Sequence, residues 1–167
     1  MAAKQQEDHR SKDDGEVEVP VEAVMSSWQL EPGVTSKLYD VFTVSDLRVD
    51  AIEPGRAMIC SFTVPPRLTD ARKRMHGGAL ASLVDLVGSA VFFAGGSPTT
   101  GVSLEITISY LNAARANEEI EIEARVLGIG ETTGCVTVEV RKKGGSGEVI
   151  AHGRHTKYLA TVVSSKL

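Results

Sequence analysis

The chain has 167 residues, 42% of them hydrophobic and 24% charged, with a formal net charge of −4. This is one domain's length with enough apolar material for a sizeable core, and an acidic chain without a basic stripe argues against general nucleic-acid binding. Cys60 and Cys135 sit in alternating apolar segments and read as core residues, too few for a disulfide framework or a zinc site, and no apolar run approaches the roughly 20 residues that cross a bilayer.

Residues 1–19 are rich in Lys, Gln, Glu, Asp and Gly and predict a disordered arm, without the apolar stretch of a secretory signal. After Pro20, the stretch from Val21 to Trp28 spaces its apolar residues three and four apart, which predicts a short amphipathic helix. A loop is expected at 31–37. Strands are expected at 47–52 and 58–64, joined by the turn Glu53-Pro54-Gly55 and ended by Pro65-Pro66. The following loop, 67–75, carries Arg67, Arg72, Lys73 and Arg74. It is either a solvated charge run or an anchor for anionic phosphates.

The spacing of Leu80, Leu83, Val84, Val87 and Val91, with Ala81, Gly88 and Phe92 on a second face, predicts a buried helix over 77–94, stopped by Gly95-Gly96-Ser97-Pro98. Four alternating segments follow, at 102–111, 120–127, 135–141 and 149–159, with Gly-rich hairpin loops at 128–134 and 143–147. Hairpin-linked strands make an antiparallel sheet, and a sheet curled around the helix would cover it. The expected fold is therefore α+β, one domain over 20–160. A short tail, 161–167, ends in Ser165-Lys166-Leu167, a receptor-read peroxisomal address.

Asp85 is the one charged side chain inside the apolar helix. A buried carboxylate needs a reason: either an exposed helix edge or structural pair, or a general base or nucleophile in a cleft. His76-Gly77-Gly78 opens the same helix, where the first N–H groups lack internal partners and face outward with the positive end of the helix dipole. Two glycines allow either tight packing or close approach of a ligand, such as a carbonyl gaining negative charge. His76 and Asp85 are nine residues apart, roughly 13 Å of helical rise. If both serve one reacting group, they come from different subunits, as a two-fold dimer permits. Ser103 lies on the polar phase of its strand, where serine is ordinary.

The segments His76-Gly77-Gly78-Ala79-Leu80-Ala81-Ser82-Leu83-Val84-Asp85, Gly101-Val102-Ser103-Leu104, Ile108-Ser109-Tyr110-Leu111 and Gly153-Arg154-His155-Thr156-Lys157 resemble the hotdog acyl-CoA thioesterase superfamily, in particular its small acyl-coenzyme A thioesterase 13 type. The resemblance covers roughly residues 35–160. It implies the hotdog fold, an antiparallel sheet wrapped around a long central helix, in a homodimer that assembles to a homotetramer. It implies hydrolysis of acyl-CoA to free acid and coenzyme A in fatty acid metabolism, with no metal and no cofactor beyond the coenzyme A of the substrate. By resemblance, Asp85 activates water, Ser103 helps hold it, the Gly77 N–H polarises the thioester carbonyl, and His76 shapes the site. Matching positions for coenzyme A contact are Tyr110 and Arg115 within 110–115, Gly128, Gly130, Thr132 and Thr133 within 128–133, and Lys157 and Tyr158. Animal relatives place an asparagine where this chain has Asp70; an ionised aspartate cannot donate a hydrogen bond, so Asp70 orients His76 or water, or stays protonated. Other chemistries remain open on the same fold: an enoyl-CoA hydratase, or a non-catalytic acyl-CoA-binding module.

Overall fold

The computed structural model describes residues 38–159 except 96, 98, 99 and 146; the predicted arm, the helix at 21–28 and the C-terminal tail lie outside the described residues. The elements in chain order are α1 (Leu38–Val44), β1 (Arg48–Glu53), β2 (Ala57–Thr63), a 3-10 turn (Pro66–Leu68), α2 (Gly77–Ala94), β3 (Val102–Tyr110), β4 (Glu119–Ile129), β5 (Thr133–Lys142) and β6 (Val149–Tyr158). The helix over 77–94 and all six predicted strands are present, with ends moved by one or two residues. The helix α1 is additional.

The six strands form one antiparallel sheet in the order β1-β2-β4-β5-β6-β3. Strand alternation divides its two faces. Met58, Cys60 and Phe62 of β2, Ile120, Ile122 and Ala124 of β4, and Val136, Val138 and Val140 of β5 are all fully buried. Leu83, Val84, Val87 and Val91 of α2 join them in one core. Each valine, leucine, isoleucine, methionine or phenylalanine among them contributes about 1.5–3 kcal/mol of apolar burial. By length and composition α2 could cross a membrane; here it is the covered centre of the domain. This is the α+β hotdog architecture, with the sheet wrapped around the helix.

Cys60 is buried, and burial, aided by the charge of Asp50, pushes its thiol up to about 12, so it stays protonated within the core. The outer face is charged. Arg141 reaches Glu121, Glu123 and Glu139, and Lys142 and Lys143 pair with Glu148 and Asp50. Such exposed pairs contribute about 0–1 kcal/mol each and chiefly keep that face wet.

Two glycines let the helix approach the sheet closely. A Cβ on Gly153 of β6 would lie 2.7 Å from Val84 Cγ1, and one on Gly88 of α2 would lie 3.2 Å from Val136, Val138 and His155. The strand β3 pairs only with β6 and forms one edge of the sheet. It exposes Val102 (66%), Leu104 (59%) and Tyr110 (53%), and Leu111 follows at 57%.

Candidate active site

His76 caps the N-terminus of α2. Its backbone is extended (φ −69, ψ 137), and its ring Nδ1 accepts from the Gly78 N–H at 3.0 Å. The His76 carbonyl accepts from Ala79 at 2.9 Å and Leu80 at 3.2 Å. Among these first helical N–H groups, Gly77 alone has no acceptor within the described residues. A pocket of about 260 Å³ opens beside it, lined by His76, Gly77, Leu80 and Tyr110, whose hydroxyl donates to the Gly77 carbonyl at 3.2 Å. An unused N–H at the positive end of a helix, facing an open pocket, is suited to a developing oxyanion. His76 caps the helix beside this pocket with both its ring nitrogen and its carbonyl.

Asp70 also lines the pocket, but its carboxylate serves the loop. Oδ1 accepts from the Arg72 and Arg74 N–H groups at 2.8 and 2.9 Å; Oδ2 accepts from the Arg74 guanidinium at 2.8 and 3.0 Å. The Arg74 backbone and then its side chain hold the Asp70 carboxyl below the usual carboxylate range. It is ionised and accepts only, so it is a loop clamp and not an oxyanion donor.

Asp85 lies two turns further along α2. Its side chain keeps 45% exposure, so the helix edge it occupies is open in the single chain and the burial inferred from the apolar pattern does not apply. Ser103 reaches it through a β-bulge. The register of β3 against β6 shifts between Ser103 and Glu105, so Ser103 pairs with Lys157 while Ile106 pairs with His155. Residues paired directly across strands share a face, and His155 and Lys157 are two apart. The extra residue therefore turns Ser103 to the helix side, against the simple alternation that put it on the polar phase. The Ser103 hydroxyl lies 2.9 Å from His155 Nε2 and donates to Asp85 Oδ1 at 3.4 Å.

His155 and Ser89 are members of this cluster that sequence reasoning missed. His155 is fully buried, 3.6 Å from Asp85 Oδ1, and its Nδ1 has no partner among the described residues. A bare lone pair is a smaller fault than an orphaned buried N–H, so the proton belongs on Nε2 and is donated to Ser103. Ser89 Oγ donates to the Asp85 carbonyl at 2.7 Å.

The Thioesterase superfamily model matches residues 73–149. Acyl-coenzyme A thioesterase 13 of Homo sapiens is 37% identical over 106 residues, 64% of this chain and 74% of the relative. The chain belongs to the thioesterase superfamily. The crystal structure of zebrafish thioesterase superfamily member 2 superposes with a TM-score of 0.73 at 31% identity, over 84% of this chain and 96% of that one. The mouse member 2 structure gives 0.70 at 27%, over 84% and 97%. The protein is thus a thioester hydrolase on the hotdog fold.

In this thioesterase superfamily member the residues matched to coenzyme A contacts fall into two groups. Tyr110 and Arg115 flank the start of α2. Gly128, Gly130, Thr132 and Thr133 form the β4–β5 hairpin, tied by Gly130 N–H to the Thr133 carbonyl at 2.7 Å, and Tyr158 pairs with Thr133 beside it. Lys157 differs from the rest: it is 4% exposed and its ammonium points into the Asp85 cluster. The basic loop also divides. Arg67 is engaged by Asp46, Ser45 and the Phe42 carbonyl, and Arg74 by Asp70. Arg72 and Lys73 line a pocket of about 400 Å³ with Arg115, and no described residue pairs with any of these three side chains. Among the described residues, no three His, Cys, Asp or Glu side chains lie close enough to hold a metal ion.

Burial, and then the charge of Lys157, pushes His155 down to about 4, with Asp85 opposing. The ring is neutral in the fold, whereas in the unfolded chain it titrates near 6.5. As pH falls from 6.5 to about 4, the unfolded chain gains a proton that the fold refuses. The expected loss of stability is about 3 kcal/mol across that window. Urea unfolding at pH 7 and pH 4.5 measures it. His155→Gln is expected to flatten this part of the slope; an unchanged slope would show that another group controls it.

Proposed function

We propose that the protein hydrolyses acyl-CoA to a free acid and coenzyme A, at a site shared between two subunits. Asp85 takes a proton from water as the water oxygen attacks the thioester carbonyl. The carbonyl oxygen becomes an oxyanion and is held by the Gly77 N–H at the helix terminus. Collapse of the tetrahedral intermediate breaks the carbon–sulfur bond and releases the coenzyme A thiolate, which takes up a proton. A thiolate leaves readily, so the helix terminus and one carboxylate suffice for this chemistry.

The observation that carries the reading is the separation of two complementary half-sites. Gly77 and Asp85 are about 12 Å apart along one helix. Tyr110, which touches Gly77, and Ser103, which touches Asp85, stand near opposite ends of the nine-residue β3, roughly 23 Å apart along the strand. Neither half-site is sufficient alone. The unpaired, apolar edge of β3 supplies a means of joining them. Antiparallel edge-to-edge pairing of two β3 strands sets the Tyr110 end of one subunit beside the Val102 end of the other. Each Gly77 then meets the partner's carboxylate, and the exposed Val102, Leu104 and Tyr110 of that edge are covered. The same reading includes pairing of dimers into a homotetramer, which light scattering measures.

The pocket formed by Arg72, Lys73 and Arg115 supports a phosphate-bearing substrate, and the name of the human relative supports coenzyme A as its carrier. The test is release of free thiol from a panel of medium-chain, long-chain and aromatic acyl-CoA. Binding without thiol release across the panel would favour a non-catalytic module; hydration of an enoyl-CoA without release would favour a hydratase. Ser165-Lys166-Leu167 supports peroxisomal import through the receptor for that tripeptide. A fluorescent protein carrying the chain at its C-terminus is expected in peroxisomes, and in the cytosol once the tripeptide is deleted.

A further inference from the structure

Behind Asp85 the sheet carries a buried cation. Lys157 Nζ donates to Ser89 Oγ at 2.6 Å and to Ser103 Oγ at 3.5 Å. Ser103 donates to Asp85 Oδ1 at 3.4 Å; Ser89, whose proton goes to the Asp85 backbone carbonyl at 2.7 Å, lies 3.4 Å from the same Oδ1, and His155 Nε2 lies 3.6 Å from it. No hydrogen bond among the described residues reaches Oδ2. The carboxylate therefore has one oxygen held from behind and one left to the open side.

We propose that Lys157 is a positioning residue for the base: held by Ser89 and acting through Ser103, it fixes Oδ1 and leaves Oδ2 to take the proton from water. The inference rests on Asp85 being the base. A buried ammonium needs a compensating charge, and Asp85 is the carboxylate that its two hydroxyl partners reach. Burial pulls Lys157 below the usual lysine range and Asp85 pulls it back. The other titratable group facing Asp85 is His155, on the same strand. It is neutral above about 4, so at ordinary assay pH the charge behind the base is that of Lys157. The remaining contacts, Ser89 from α2 and Ser103 from β3, carry no charge.

Lys157→Met keeps all but the last atom of the side chain's length and removes its charge and donors. The pH profile of kcat is expected to show an acid limb about one unit or more higher than in the wild type. The plateau should fall about tenfold or more, with KM within about twofold. An unmoved acid limb overturns the proposal. So does a raised KM at unchanged kcat, which would return Lys157 to the substrate contacts. If Lys157→Met does not give a cooperative melt, Ser89→Ala is read in its place. It should move the limb in the same direction by less, with Ser89→Thr bringing it back; an unmoved limb in Ser89→Ala overturns the proposal equally. Asp85→Asn separates the two levels. If it retains activity, the base assignment itself fails. If it is inactive while the limb of Lys157→Met stays in place, only the positioning role fails.

Discussion

Replacing Asp85 by asparagine is expected to lower kcat by about two to four orders of magnitude, the range of a general base, with acyl-CoA binding and assembly retained. The substitution is mild. Asparagine keeps an oxygen that can accept from Ser103, 3.4 Å from Oδ1, and leaves the Ser89 bond to the backbone carbonyl in place; the side chain is 45% exposed, so no cavity is made. What is lost is the lone pair that takes a proton from water, together with the negative charge in front of Lys157. Calorimetric binding of a non-hydrolysable acyl-CoA analogue and the assembly mass should be measured on the same sample. Activity within about tenfold of the wild type would remove Asp85 from the mechanism.

Mixing two inactive variants is expected to restore activity. Gly77→Pro is the partner variant, because proline deletes the N–H without disturbing the helix start. Gly77 is the first helical residue, where proline is preferred, and His76 before it is already extended at ψ 137. A Cβ at Gly77 meets only the Tyr110 ring, at 3.5 Å. Gly77→Pro alone should lose about 10²–10³ in kcat, as for other lost oxyanion donors. In a dimer of Gly77→Pro with Asp85→Asn, one site collects both defects and the other is wild type. Equal, random mixing by co-expression should therefore recover about a quarter of wild-type activity. Activity no greater than the sum of the parents would place both groups in a single subunit's site.

Much of this architecture is written locally in the chain. The helix α2 is legible because its apolar residues run nearly all round, between His76-Gly77-Gly78 and Gly95. The strands are legible because α2 covers one face of the sheet and water covers the other. The short α1, seven residues long, spans too few turns to show a period. The site was legible in part. Gly77 and Asp85 stand out by residue type and spacing, but alternation alone sets Ser103 on the polar face, because it assumes an unbroken register, and only the resemblance brings Ser103 to the site. The bulge at Ser103/Glu105 is set by pairing with β6, a strand some fifty residues away, so nothing within β3 signals it. His155 and Ser89 escaped for the same reason: their significance lies in what faces them across the helix–sheet contact. Lys157 stands among the coenzyme A contacts only by resemblance; its position in β6, two residues from His155, turns its side chain inward.

The glycines at that contact have a consequence for how variants should be interpreted. Gly88 and Gly153 touch neither half-site's donor, yet they set how far α2, which carries Asp85 and Ser89, stands from β6, which carries His155 and Lys157. A methyl group at Gly153 would begin 2.7 Å from Val84 Cγ1, so the Val84 side chain must turn or the helix must lift from the sheet; we expect the crowded valine to push the helix. The contacts to Oδ1, at 3.4 to 3.6 Å, would open with it. Kinetics alone would then report a defective base in an enzyme whose reacting groups are all present. Spacing between two layers of secondary structure is thus a catalytic parameter, adjustable from positions that an inventory of substrate contacts would leave out.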